Sequence, residues 1–253
     1  MSLAKILSAL SLLALTTGCV GSAVEPTLRF GVEPLVPPFE SRNDKGELVG
    51  LNIELGNALC AELQTRCVWV DQDYATNVEA LEAQRFDVIM PMTATPARRE
   101  RIDFTDNLYP LSSRLVTRKG ANLLPDAQSL KGKRVGVLAG TSREAFAKAR
   151  WAEAGVTIRS FQFNDQLIAA LQSGEIDATL QDSIEITYAL LSQPQGEPFG
   201  FAGPALKDPM LGTGVAMALR KTDSKLRDEL NAALERLKRS GEYQAITERY
   251  LRR

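Results

Sequence analysis

Histidine is missing from all 253 residues. Its absence removes Ser-His-Asp and Cys-His nucleophilic catalysis and the commonest zinc ligand. Cysteine is scarce, with three in the chain, and none stands in C-x-x-C spacing. Neither a G-x-G-x-x-G nor a P-loop sequence occurs, which argues against dinucleotide and nucleoside-triphosphate chemistry. No cofactor and no metal is therefore expected. Charge of one sign is not in excess, with 30 basic and 31 acidic residues and no basic stripe interleaved with aromatics. A nucleic-acid partner is excluded on that balance. Beyond the first 23 residues no stretch is long and apolar enough to span a bilayer. What remains is 44% hydrophobic and 24% charged, an ordinary globular composition with material for one large domain or two small ones.

The amino terminus reads as a targeting segment. Lys5 is the only charge before Val24, Ile6–Leu15 is an apolar run, and small residues follow. This is the layout of a secretory signal over residues 1–23. Leu15-Thr16-Thr17-Gly18-Cys19 resembles a bacterial lipobox, in which Cys19 becomes a lipidated first residue, although Thr16 stands where that motif prefers Leu. Gly21-Ser22-Ala23 offers the alternative exit of an A-x-A-like cleavage and a soluble product. A lipid anchor accounts for the odd third cysteine. Cys60 and Cys67 lie close together, and in an exported chain two such cysteines are expected to pair. The loop they close is short, so the gain is roughly 2–3 kcal/mol at most.

Along the mature chain, strands are expected at Leu28–Val32, Val68–Val70, Phe86–Met90, Arg134–Leu138, Val156–Phe161, Ile176–Leu180 and Leu211–Leu219. Helices are expected from Asn52, at Val78–Ala83, from Thr95-Pro96, at Arg143–Arg150, Asp165–Gln172, Ser183–Leu191 and Ser224–Lys238, with Tyr243–Leu251 closing the chain. Pro34, Pro37 and Pro38 fix an extended segment, Asn43-Asp44-Lys45-Gly46 a turn, and Pro194–Phe199 a loop. The chain also repeats itself. Leu81 precedes Asp87 and Leu171 precedes Asp177 by the same interval, and Phe30-Gly31-Val32 is echoed by Val135-Gly136-Val137. Two βα units of one design argue for two α/β lobes with parallel-type sheets.

Candidate binding residues follow from this layout. Thr95 suits a helix N-cap and Pro96 the first helical position, so Arg98 falls in the first turn. A guanidinium is a planar fork that grips a carboxylate with two parallel hydrogen bonds. Arg98, helped by Thr93, is read as holding the α-carboxylate of a free amino acid, against the competing view of one more solvated charge in Arg98-Arg99-Glu100-Arg101. Thr141 or Ser142 caps the helix at Arg143, whose free N–H groups form an anion site. Asp182 lies just past a strand end, where open α/β sheets bind ligands, and is a partner for an α-ammonium as well as a candidate cap.

The stretches PPFESRNDKGELVG, LCAELQTRC, MTATPAR with RIDFTDNLY, SLKGKRVGVLAGTS, GEIDATLQD and GVAMALRKTDSKLRDELNAALERLKRSGEY cover essentially the whole mature chain. In these it resembles the periplasmic amino-acid-binding proteins of ABC importers, most of all the lysine/arginine/ornithine and histidine binders. The resemblance implies a type II periplasmic-binding-protein fold, α/β, with two Rossmann-like lobes joined by two hinge strands. Residues 24–109 and 213–253 would form the first lobe, 114–209 the second, and 110–113 and 210–212 the crossings. It implies a monomer without enzymatic activity, located in the periplasm, that delivers its ligand to a membrane permease. It places the carboxylate-binding Arg at Arg98, a hydroxyl partner at Thr93, a helix-N-terminus contact at Thr141, the ammonium-binding Asp at Asp182 and a disulfide at Cys60 and Cys67. Glu33 stands where the cationic-amino-acid binders carry an acid, and Tyr74 where they offer a wall for stacking or cation–π contact. Two departures mark this chain: Val36 replaces the usual aromatic, and the Met90-Pro91-Met92 turn is one residue shorter. Arg143 can point into the cleft and repel a cation. Arginine, lysine, ornithine or histidine are favoured over glutamine, and glutamine over acidic ligands. The rival is a cyclohexadienyl dehydratase, whose D-x-I-E segment resembles Asp182-Ser183-Ile184-Glu185 and would make Glu185 a general acid.

Overall fold

The apolar runs of the sequence become two open sheets in the computed structural model, which describes residues 26–251. The signal segment and Cys19 lie outside the described residues. From the amino end come β1 (Thr27–Val32), β2 (Leu35–Val36), β3 (Glu40–Arg42), β4 (Leu48–Val49), α1 (Leu51–Glu62), β5 (Arg66–Asp71), α2 (Asn77–Glu82), β6 (Val88–Thr93), α3 (Pro96–Arg101), β7 (Ile102–Phe104) and β8 (Tyr109–Pro110). The chain then enters a second sheet with β9 (Ser113–Arg118), β10 (Arg134–Leu138), α4 (Ser142–Arg150), β11 (Thr157–Phe161), α5 (Asn164–Ser173), β12 (Ala178–Asp182), α6 (Ser183–Ile186) and β13 (Phe199–Leu206). It returns to the first sheet as β14 (Gly214–Arg220) and ends in α7 (Ser224–Ser240) and α8 (Glu242–Leu251).

The first sheet runs β5-β1-β6-β14-β7, with β8 also on β14; the second runs β11-β10-β12-β9-β13. Each has the same plan. β1 pairs in parallel with β5 and β6, as β10 does with β11 and β12, and strands from the crossings add antiparallel edges. Helices cover both faces of both sheets, so β12 is buried at every position and β14 at all but its last. In the first lobe, one core joins β1 and α1 to Leu230, Leu234 and Leu237 of α7, while Leu81 and Phe86 anchor another on the opposite face. The two-lobed α/β fold expected from the sequence is present, and Cys60 and Cys67 are joined as a disulfide.

The internal echo has a physical basis. Arg29, which opens the apolar part of β1, gives its backbone N–H to Asp87 Oδ2 at 3.0 Å and its guanidinium to both Asp87 oxygens. Arg134 at the head of β10 does the same to Asp177, with a backbone contact of 2.8 Å. The residue before each aspartate, Phe86 or Ile176, packs against the glycine two residues beyond the arginine. A Cβ on Gly31 would stand 2.5 Å from the Phe86 ring, and one on Gly136 would stand 2.4 Å from Ile176. Each lobe is thus pinned at the amino end of its first strand by one ion pair and one glycine-on-side-chain contact. Burial pushes the Asp87 carboxyl up, but its bonds to Arg29 outweigh this and hold it below the usual carboxylate range.

One strand was not expected and two local expectations are corrected. The irregular stretch from Pro194 gives way at Phe199 to an edge strand, Phe199–Leu206, antiparallel to β9. Its glycines and proline hid it, and an edge tolerates proline because one side of the strand has no ladder to break. The returning strand begins at Gly214 rather than Leu211, because Pro209–Leu211 forms a single 3-10 turn. The helix after Asp182 is α-helical only to Ile186 and continues as a π-wound turn over Thr187–Leu191. Gly31→Ala is expected to cost about 1–3 kcal/mol of stability, because Phe86 is fully buried and has nowhere to go. Chemical denaturation measures this; an unchanged midpoint would mean that the ring yields freely.

Candidate functional site

Parallel strands aim their carboxyl ends one way, and the residues that follow them collect there. Glu33 follows β1 and Tyr74 follows β5 after a short link; Thr93 ends β6 and Asp182 ends β12; Thr141 lies just after β10. The two lobes turn these edges toward each other around one cavity. Its volume of about 80 Å³ is several times the roughly 10–15 Å³ that one water needs, the scale of a small molecule. Glu33, Tyr74, Met92, Thr93, Thr141 and Asp182 all line it.

Arg98 sits at the edge of this cavity rather than on its wall. Thr95 Oγ1 accepts the Arg98 N–H at 3.3 Å, so the capping expectation holds and fixes the side chain in the first turn of α3. The guanidinium donates to Thr93 O at 2.9 Å and to Gly140 O at 2.7 Å, and stands 5.5 Å from the Tyr74 ring centre. One fork therefore ties the first lobe to the second. Gly140 has φ near 72° and passes so close to the first lobe that a Cβ would stand 2.7 Å from Ala75 Cα. Ser142 also lies off the wall, with its hydroxyl donating to Leu211 O at 3.5 Å.

Thr141 caps α4, accepting from Glu144 N at 3.2 Å while its hydroxyl donates to Leu138 O at 2.7 Å. Asp182 fills the capping role weighed for it and also lies on the cavity wall. It is 2% exposed, lines the cavity, and caps α6 by accepting from Ile184 N at 2.9 Å and Glu185 N at 3.1 Å. Its other oxygen accepts from Ser112 N at 3.3 Å, in the link between the sheets.

Sequence reasoning missed part of the wall. Phe39 and Tyr109 stack with ring centres 5.5 Å apart. Beneath them the Asn52 amide donates to Glu40 Oε2 at 2.5 Å and accepts from the Tyr109 hydroxyl at 2.8 Å. The signal was available in part: Asn52 lies on the same helical stripe as Leu55 and Leu59, so its side chain had to face inward. Arg143 is buried on the wall, as suspected, and Glu185 is buried there too.

The wall thus carries four acids, Glu33, Glu40, Asp182 and Glu185, against one cation, Arg143. Burial pushes the Glu33 carboxyl up to about 7, aided by the charge of Asp73 and opposed by a backbone hydrogen bond from Tyr74. Glu185 is pushed up to about 7 by burial, with Arg143 opposing and Asp182 and Glu33 adding to the rise. Glu40 is raised well above its usual range by burial, against the bond from Asn52. No group of histidine, cysteine, aspartate and glutamate able to hold a metal occurs among the described residues. No helix among them is long and apolar enough to cross a membrane.

Two lobes with a cavity between their strand ends, carrying a few polar and charged groups on a largely apolar wall, define a solute-binding architecture, and comparison with known proteins agrees. Residues 28–253 match the bacterial extracellular solute-binding proteins, family 3, and the chain belongs to that family. It is 40% identical over 231 residues to the histidine-binding periplasmic protein of Escherichia coli K12, covering 90% of this chain and 89% of that one. It is 38% identical to the lysine/arginine/ornithine-binding periplasmic protein of the same organism, over 97% and 96% of the two chains. Among solved structures, an ancestral arginine-binding protein bound to arginine superposes with a TM-score of 0.82 at 30% identity, covering 89% of this chain and 98% of that one.

The raised carboxyls set a pH dependence. In the unfolded chain Glu33 and Glu185 release their protons near 4.5, whereas in the folded chain they keep them to about 7. The folded state binds more protons across that window, so stability falls as pH rises through it and levels off above. Without added ligand, the melting temperature is expected to be lower at about pH 7.5 than at about pH 5.5. A flat or rising profile over that span would contradict the burial of these groups as ionisable acids.

Proposed function

We propose that this protein captures a free L-amino acid with a positively charged side chain between its two lobes and delivers it to the permease of an ABC importer. The observation that carries the ligand class is the excess of acids over cations on the cavity wall. Arg98, freed from its carbonyl partners, would take the α-carboxylate with the Thr93 hydroxyl and the amino end of α4 at Thr141 and Ser142. The remaining acceptor capacity of Asp182 would take the α-ammonium. Glu33 would attract the side-chain cation, with Tyr74 and Met92 as walls. Carboxylate and ammonium would then be held from opposite lobes, so binding favours the closed arrangement over the open one. The links at 110–113 and 210–212 serve as hinges, and the working form is a monomer in the periplasm, either soluble or anchored through Cys19. The relatives' printed names are those of binding proteins, which supports capture rather than dehydration of prephenate.

A thermal-shift screen of the chain from Val24 against the common amino acids, ornithine, citrulline and prephenate tests this. A ligand at about 100 times its Kd adds about 2.7 kcal/mol of stability. A shift with arginine, lysine, ornithine or histidine is the expected result. Arg98→Ala and Asp182→Ala are each expected to abolish binding of every amino acid, whereas Glu33→Gln should change preference among them. Near-wild-type affinity in either alanine variant would overturn the site. Phenylpyruvate formed from prephenate above background would replace the proposal with an enzyme.

A further inference from the structure

We infer that Glu185 is a specificity residue, whose free carboxylate oxygen holds the cationic end of the ligand's side chain from the second lobe while Glu33 holds it from the first. This rests on the cationic-amino-acid reading and names the group that would select the charge.

A glutamate in the first turn of a helix ordinarily faces water, where it complements the helix dipole. Glu185 does not. It is 4% exposed, it lines the cavity, and its Oε1 has no hydrogen-bond partner among the described residues. A buried polar atom without a partner is costly to keep. A bound ligand that fills the cavity is the natural source of that partner.

Its neighbours show why Glu185, and not Asp182, has the capacity. An ionised carboxylate offers about four acceptor sites. Asp182 spends three contacts on the backbone N–H groups of Ser112, Ile184 and Glu185. What it retains matches a single ammonium hydrogen. Glu40 is occupied by Asn52. Arg143, on α4, is the one cation on this wall and acts on Glu185 through charge, without a direct hydrogen bond between them. Facing Glu185 from the other elements are therefore Arg143, Asp182, Glu33 and Glu40, with the Tyr74 and Tyr109 rings on the first-lobe side.

The charge of Glu33 in the first lobe adds to the rise at Glu185 in the second. In the empty cleft they cannot both ionise cheaply. A guanidinium with five donors, or an ammonium with three, allows both to do so at once. The proton each carries near neutrality then leaves as the cation arrives. Capture of a cationic side chain is thereby coupled to proton release and to closure, because the two carboxylates come from opposite lobes. Citrulline, which has the shape of arginine without its charge, gains neither effect.

The test is titration calorimetry of the mature chain and of Glu185→Gln with arginine, lysine, ornithine, histidine and citrulline, at mildly acidic and mildly alkaline pH. In the variant, affinity for the cationic ligand that the wild type binds best is expected to fall at least about tenfold, as loss of a charge-assisted contact implies. Citrulline affinity should hold or rise. Wild type at mildly acidic pH should release protons on binding the cation, measured in buffers of different ionisation enthalpy, and the variant should release fewer. The variant, lacking a buried acid, should melt at or above the wild-type temperature when empty. Equal affinity for the cation in variant and wild type overturns the assignment while leaving the proposed function intact. A parallel loss for citrulline and the cation shows a structural role and overturns it too. Proton-free binding of a cation by wild type at acidic pH does the same without needing the variant. A wild type that binds no cationic amino acid removes the ligand class and this assignment together.

Discussion

A carboxylate taken out of water must keep its proton, find a cation or be satisfied by hydrogen bonds, and the cleft of this protein uses all three solutions. Burial raises the Glu40 carboxyl well above its usual range, against the hydrogen bond from Asn52, under the Phe39–Tyr109 stack. Asp182 is satisfied by backbone N–H groups at the head of α6 and in the link between the sheets. Glu33 and Glu185 are each pushed up to about 7 by burial, and Arg143, the one cation on the wall, opposes the rise at Glu185. Both lobes contribute acids to the cavity, Glu33 and Glu40 from the first and Asp182 and Glu185 from the second.

The scaffold that sets up this meeting is the same unit used twice. Arg29 with Asp87 and Arg134 with Asp177 pin the amino ends of β1 and β10, and Gly31 and Gly136 admit Phe86 and Ile176 against the strands. Fixing the strand at its start fixes where its other end emerges. Glu33 and Thr141 both appear one to three residues beyond such a pinned strand, and Thr93 and Asp182 end the partner strands beside them. Duplication explains why the site is symmetric in placement. The equivalent positions carry different groups, a hydroxyl at Thr93 and a carboxylate at Asp182, which on the proposed function would let the site treat the two ends of a ligand differently.

What could be read from the sequence divides along a physical line. Caps were legible because they are local: Thr95 and Thr141 each bond a backbone N–H three residues on. The echo of Phe30-Gly31-Val32 in Val135-Gly136-Val137 was legible because two strands in equivalent environments face equivalent packing. The Glu40–Asn52–Tyr109 chain was not, since its last link spans 57 residues and nothing in either segment announces the other. β13 was hidden by glycine and proline that only an edge position forgives. Glu185 entered the sequence reading only as the general acid of the rival enzyme; its inward turn follows from the Asp182 cap, which fixes the rotation of α6, and rotation is invisible to a pattern only four residues long.

The position of Arg98 carries the last step. Its fork is already satisfied by Thr93 O and Gly140 O, one carbonyl from each lobe, and its guanidinium lies near the Tyr74 ring. A carboxylate adds to each such bond an opposite charge that a neutral carbonyl lacks, and it can accept two guanidinium N–H groups in parallel. On the proposed function, the carboxylate of an amino acid would replace these carbonyls and strengthen a link between the lobes that Arg98 itself makes. The close approach of Gly140 to Ala75 brings the two lobes into contact beside this fork. Bonds that the protein already makes between its lobes subtract from what a ligand can add, so a ligand would drive closure only by the amount by which its own contacts in the closed state exceed those it displaces.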